Sequence, residues 1–327
     1  MLSYIIRRLI YMIFTLLAVS VVAFIIIQLP PGDYLTSYIM KLQSSGTHVS
    51  QEEVAALKKQ YGLDLPIYAR YFKWMWGMFH GDLGMSFTWN KPVSELIGER
   101  LMLTIIISIS ALIFTYAVAI PIGIYCATHQ YSTSDYAFTV IGFAGLATPN
   151  FLLAIVLMFI FYKYFGLSIG GLFSSQYVEA SWDLAKIKDM INHMWIPIIV
   201  IGTAGTAGLV RVMRGCLLDE LRKQYVITAR AKGVSERTLL FKYPVRVAIN
   251  PIISTIGWIL PGIVSGETIT SIVLSLPTVG PLIWQALISQ DTYLAGSTIM
   301  FLSVLTVIGT FVSDILLVLA DPRIRYE

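Results

Sequence analysis

Residues 9–28 read LIYMIFTLLAVSVVAFIIIQ, a run of twenty residues without a charge. At 1.5 Å per residue a helix of that length covers about 30 Å, the hydrocarbon thickness of a bilayer. The run is longer than a signal-peptide core, and the LPPGD that follows is a poor small-residue cleavage site. It therefore reads as an uncleaved spanning helix. Five more apolar segments follow, at residues 101–126, 137–165, 194–210, 247–274 and 295–319. The predicted fold is an all-α integral membrane protein with six transmembrane helices.

Composition agrees with that reading. Of 327 residues, 56% are hydrophobic and 13% charged. A soluble fold has too little interior to hide so much apolar surface, which excludes a soluble enzyme as well as a disordered chain. The net charge of +4 is too small to mark a nucleic-acid partner. The two cysteines, Cys126 and Cys216, fall on the side assigned below to the cytoplasm and are expected as free thiols.

Orientation follows from Lys and Arg near the span ends. Arg7 and Arg8 precede the first span, Arg323 and Arg325 follow the last, and residues 211–246 carry nine basic against three acidic residues. Six spans put these three segments on one side, so both termini are predicted to be cytoplasmic. Three regions result: an N-terminal transmembrane helix at 1–28, an extracytoplasmic lobe at 29–100, and a five-helix core at 101–327 with a cytoplasmic loop at 211–246.

The outer lobe is too long for a plain connection. Ser50 and Glu53 form a capping-box pattern, and Gly62 can stop the helix they start. The aromatic stretch that follows, with Trp74, Trp76 and Phe79, suits a helix at the membrane surface, either as a docking surface for an external partner or as a cap. The cytoplasmic stretch RVMRGCLLDELRKQYVITARAKGVSERTLLFKYPVR predicts a helix, a break at Gly233, a second helix capped by Ser235, and an end at Pro244. Setting topology needs only a few charges and no ordered helix pair, so this element points to a cytoplasmic protein partner.

Catalytic chemistry has no foothold. The four histidines lie in loops or at span edges, and the sequence holds no HExxH, GxSxG, CxxC or GxxxxGK[ST] pattern. Within the spans only Lys163, Glu267 and Asp314 are ionisable, too few for an ion-coupled secondary transporter. Lys163 can snorkel, and Asp314 has Arg323 or Arg325 within reach. Glu267 sits deepest, in a Gly-rich stretch that can line a pathway or pack against a partner subunit.

TARAKGVSERTLLFKYPVR resembles the cytoplasmic signature loop of permease subunits of bacterial ABC importers, in which a Gly is followed eleven residues later by a Pro, here Gly233 and Pro244. The chain is similar to the dipeptide/oligopeptide class along nearly its whole length, through YIIRRLIYMIFTLLAVSVVAFIII, YGLDLPIYARY, HGDLGMSF, TPNF, TARAKG, SLPTVG and DPRIRY. The resemblance implies a type I importer permease fold in a bacterial or archaeal inner membrane. It implies four kinds of partner: a second homologous permease, two cytoplasmic ATPase subunits, an extracytoplasmic solute-binding protein, and the lipid bilayer. The chain itself would hold no cofactor and catalyse nothing, with ATP and Mg bound by the ATPase partners.

Site residues follow from the same resemblance. Ala229, Arg230, Ala231, Lys232, Gly233, Arg237 and Pro244 would couple the loop to the ATPase. Thr148, Asn150, Ser265, Glu267, Thr268 and Ser271 are candidates for the pathway or an interface. Trp74, Trp76, Trp284 and Gln285 are candidates for docking the binding protein. One region departs from the family pattern: Ser271 stands where an acidic residue is usual six positions before Pro277, and Thr278 where a Gly is usual. Peptides and oligosaccharides both stay open as solutes, with peptides preferred, and a self-sufficient secondary transporter is the remote alternative.

Overall fold

The computed structural model describes residues 2–28, 64–256 and 268–320. Ser50, Glu53, Gly62, Ser265, Glu267, Arg323 and Arg325 lie outside the described residues. The described chain is mostly helical: α1 (Leu2–Gln28), α2 (Ile67–Phe79), α3 (Val93–Thr128), α4 (Thr133–Ala147), α5 (Asn150–Phe165), α6 (Leu184–Leu221), α7 (Gln224–Ala231), α8 (Glu236–Lys242), α9 (Pro244–Ala248), α10 (Thr268–Val273), α11 (Val279–Ile288) and α12 (Thr292–Ala320). Among the described residues strand pairing is confined to one isolated bridge, Met85 with Pro92.

Among the described residues, four helical stretches are long and apolar enough to cross a membrane: Ile6–Gln28, Val93–Thr128, Leu184–Leu221 and Thr292–Leu316. The second and third of these begin well before their sequence-predicted starts, because amphipathic turns precede the apolar runs. The segment 137–165, predicted as one span, is two helices, α4 and α5, bent by 103°. The cause is Thr148-Pro149. Proline has no N–H to give, its ring collides with the carbonyl four residues back, and it drives the residue before it out of the helical region. Thr148 accordingly sits at φ −93°, ψ 118°. The interior prolines Pro121 and Pro197 leave α3 and α6 continuous.

The chain forms two compact units. One comprises Met1–Leu103 with Thr278–Leu305, the other Thr104–Pro277 with Thr306–Glu327. In the first, α1, α2, the start of α3, α11 and the start of α12 share a core that includes Val93, Ile97, Leu282 and Leu294, all 0–1% exposed. A second patch joins Phe24 of α1, Trp74 and Met75 of α2 and Met300 of α12. In the other unit, α9 and the helical turns at 250–256 lie against α6, where Val245, Ala248 and Ile252 meet Leu209, Met213 and Leu217 together with Ala119 and Ala127 of α3.

Candidate functional site

The cytoplasmic stretch begins as a continuation of a span. α6 has 38 residues, about 57 Å of helix, so it runs well past a hydrocarbon core of about 30 Å. Asp183 caps its N-terminus by accepting the Lys186 amide at 2.7 Å. At its other end Arg222 is the C-cap, Lys223 turns to extended backbone at φ −72°, ψ 147°, and α7 begins at Gln224. The Tyr225 hydroxyl donates to the Glu220 carboxylate across that break. Burial and the adjacent Glu220 charge push the Tyr225 phenol above its ordinary range, which keeps the proton on the bridging oxygen.

α7 closes in a Schellman turn. The Gly233 amide donates to the Arg230 carbonyl at 3.0 Å and the Val234 amide to the Ala229 carbonyl at 3.3 Å. Gly233 itself lies at φ +79°, the left-handed conformation that costs any residue with a Cβ about 1–2 kcal/mol. A Cβ built on Gly233 meets nothing within 4 Å. The chain itself therefore needs the conformational freedom of glycine here, while any demand for space must come from outside. Val234 folds back onto Val226, Ala229, Leu239 and Tyr243, a small apolar cluster that locks α7 to α8.

Charge is distributed unevenly around this turn. Arg230 and Glu236 form a two-pronged pair, Nε to Oε1 at 2.6 Å and Nη2 to Oε2 at 3.0 Å, with both side chains exposed. Each partner holds the other charged: Glu236 is kept below the usual carboxylate range and Arg230 above its ordinary value. Arg230, expected to face a partner, is thus engaged within the loop. Lys232 and Arg237 are exposed and make no ion pair among the described residues. Ala231 and Gly233 are exposed beside them, whereas Ala229 is 7% exposed and belongs to the inner cluster.

Two sequence expectations are corrected here. Ser235 occupies the position before α8, but its hydroxyl bonds to Thr238 Oγ1 at 2.9 Å and caps no backbone amide. Pro244 does more than end a helix: it is buried and starts α9, where its missing N–H costs nothing.

The sequence reading missed the tie between α6 and α4. Arg214 donates to both oxygens of Asp135, at 3.2 and 3.0 Å, and the Asp135 side chain is 4% exposed. Asp135 also accepts the Tyr131 amide at 3.0 Å, while its own amide is capped by Ser132 at 3.1 Å. The Ser132-x-x-Asp135 spacing is a helix-start signal readable in the sequence. The ion pair is not, because 79 residues separate its partners.

The pathway candidates are only partly brought together. The Thr148 hydroxyl is bonded to the Ala144 carbonyl at 2.8 Å, and Asn150 opens α5 just beyond the bend. α10 packs on α5, with Thr268 half-buried at its start and Ser271 6% exposed.

The docking candidates divide. Trp74 is 4% exposed, stacked on Phe24 with ring centroids 5.8 Å apart, and Gly296 leaves room for its ring. It is a core residue and presents no docking surface. Trp76, on the other face of α2, is 69% exposed and lies 4.5 Å from the His80 ring. Trp284 and Gln285 are exposed on α11.

Just beyond α11, Asp291 is fully buried and accepts Ser86 Oγ at 2.6 Å, the Thr88 amide at 3.1 Å and the Leu294 amide at 3.2 Å. It therefore caps α12 and fastens the 84–92 turn to it. Gly84 in that turn is at φ +80°, and a Cβ there would come within 2.7 Å of the Tyr293 ring.

Residues 119–326 match the family described as "Binding-protein-dependent transport system inner membrane component", and residues 1–110 match the N-terminal region of such membrane components. The chain is 34% identical to the oligopeptide transport system permease protein AppB of Bacillus subtilis (strain 168), over 100% of both chains. It is 31% identical to the inner membrane ABC transporter permease protein YejB of Escherichia coli O157:H7, over 99% of both.

Proposed function

The chain belongs to the family of binding-protein-dependent transport system inner membrane components, and from that premise we propose that it is one permease half of an ATP-driven peptide importer. It is a multi-pass protein of the inner membrane. In the proposed assembly it carries six spans with both termini in the cytoplasm. A second, homologous permease completes the translocation pathway, two ATPase subunits bind ATP and Mg below, and a solute-binding protein delivers the peptide from outside.

One observation supports coupling most directly. α6 runs without interruption from a span into the cytoplasmic stretch, and the α7–α8 pair beyond it is closed by an exposed turn at Gly233. A stiff element ending in a bare, cationic turn is what a groove on an ATPase surface can grip. Lys232 and Arg237 supply charge complementarity, while Arg230 with Glu236 stiffens the turn. Closure of the ATPase pair then moves α6 as a lever, and the membrane helices rock between inward- and outward-facing states.

Peptide as the solute rests on the relatives' printed names. Ser271 at the position where the class usually has a carboxylate keeps oligosaccharide as the second reading. Affinity purification of the tagged chain from mildly solubilised native membranes tests the assembly. ATPase subunits and a second permease are expected with it, and recovery of the chain alone refutes the proposal. In proteoliposomes holding the complete complex, Gly233→Asp is expected to leave ATP hydrolysis running while uptake stops. Normal uptake by that variant refutes the coupling role. Uptake competition with unlabelled peptides against oligosaccharides decides the solute class.

A further inference from the structure

α3, α4 and α6 line a half-open cavity of about 430 Å³. Its inner limit lies at Phe114, Leu146 and Thr203, and its other limit at Cys126, Phe138 and Arg214. Phe114 and Cys126 are separated by three turns and a third of α3, about 18 Å along the axis. That length is close to one leaflet of the hydrocarbon core, about 15 Å. The limit at Cys126 and Arg214 is the one the basic segments assign to the cytoplasm, and Arg211 and Arg214 stand there.

Chemistry restricts the occupant. The lining is apolar over most of its length, and two of its hydroxyls are already spent, Thr203 on the Ile199 carbonyl and Thr206 on the Gly202 carbonyl. An extended peptide would leave backbone N–H and C=O groups without partners there, at a cost of a few kcal/mol each. Arg214 is held by Asp135, but Arg211 is exposed at the cavity and makes no hydrogen bond or ion pair among the described residues.

We propose that this cavity binds one acyl chain of an anionic phospholipid from the cytoplasmic leaflet, with the lipid phosphate on Arg211. The lipid then sits between α4 and α6, next to the Asp135–Arg214 tie and on the helix that continues into the cytoplasmic stretch. This site concerns the chain's own helices and stands apart from the transport assignment, so it is tested on the chain without any solute.

The tagged full chain is exchanged into nanodiscs of phosphatidylcholine with a minority of phosphatidylglycerol, released into mild detergent, and its retained lipid counted by native mass spectrometry. One retained phosphatidylglycerol per chain is expected. Arg211→Gln is expected to lower that retention about fivefold, the worth of one basic side chain at an anionic headgroup. Lys188→Gln, at the opposite end of α6, is expected to retain it fully. Equal retention by wild type and Arg211→Gln overturns the proposal.

A photo-reactive benzoylphenylalanine in place of Leu146 keeps the question open to refutation without depending on a cavity-filling variant that fails to fold. In native membranes the expected adduct carries the mass of a phospholipid. An adduct to another polypeptide overturns the proposal and identifies the cavity as an interface between subunits.

Discussion

Replacing Gly233 by Ala, Asn and Asp separates what the fold needs at that position from what a partner needs. The backbone there is at φ +79°, and a Cβ would meet nothing within 4 Å. Gly233→Ala therefore carries only the left-handed penalty, about 1–2 kcal/mol. Asn tolerates that conformation better than other residues with a Cβ, so Gly233→Asn loses less, about 1 kcal/mol or below. The Schellman bonds of Gly233 and Val234 and the Val226–Ala229–Leu239 cluster stay in place in both variants. Costs of that size change the folded-to-unfolded ratio of the turn by a factor of about five or less for Asn and about 5–30 for Ala, too little to unmake a whole membrane domain.

If the requirement were conformational alone, Gly233→Asn would transport nearly as well as wild type and better than Gly233→Ala. With a partner surface pressed against the exposed turn, both lose uptake by far more than these conformational factors, and Gly233→Asp, which also opposes Lys232 and Arg237, loses most. The assay is uptake into proteoliposomes containing the complete complex, with ATP hydrolysis followed in parallel. Chain integrity is checked by the thermal unfolding midpoint. Wild-type uptake by Gly233→Asn, with an unchanged midpoint, refutes the argument that a partner approaches this turn closely.

Three further outcomes follow from the geometry. Trp74→Ala is expected to destabilise the first unit by about 3–5 kcal/mol through the cavity it leaves beside Phe24 and Met300, while Trp76→Ala changes the unfolding midpoint little; equal shifts for both contradict the burial argument. Asp291→Ala removes a cap and orphans the Ser86 hydroxyl and two amides, a loss of about 3–4 kcal/mol, and hydrogen exchange over residues 84–92 should rise sharply; unchanged protection there refutes its fastening role. Glu236 has its folded-state pKa lowered by Arg230, so the pair's contribution is present above the ordinary carboxylate range and is lost as pH falls through the lowered value. Protection of the turn around residues 230–237, corrected for intrinsic exchange, should fall on acidification in the wild type and stay level in Glu236→Gln; parallel behaviour of the two refutes the pairing.

The sequence by itself determined that the chain crosses a membrane, because runs of apolar residues long enough for a bilayer are a local property of composition and length. It also determined where the cytoplasmic element breaks: Gly233 ends α7 for the reason any left-handed helix stop favours glycine. The Thr148-Pro149 bend was equally local, since a proline without an N–H disrupts a helix wherever it stands in an unsupported turn. It went unread because the apolar pattern runs straight through it.

Other distinctions were settled only in three dimensions. Trp74 and Trp76 are two positions apart on one aromatic helix, and nothing in their identity says which faces Phe24 and which faces outward. Arg230 and Arg237 carry the same charge, yet only Arg230 has Glu236 placed across a turn from it. Asp135 reads as a surface helix start until α6 brings Arg214 beside it, and Asp291 as a loop acid until the 84–92 turn closes over it. In each case the partner comes from a distant part of the chain or from the opposite side of a turn. Burial and pairing depend on that partner, and periodicity along the sequence carries no record of it.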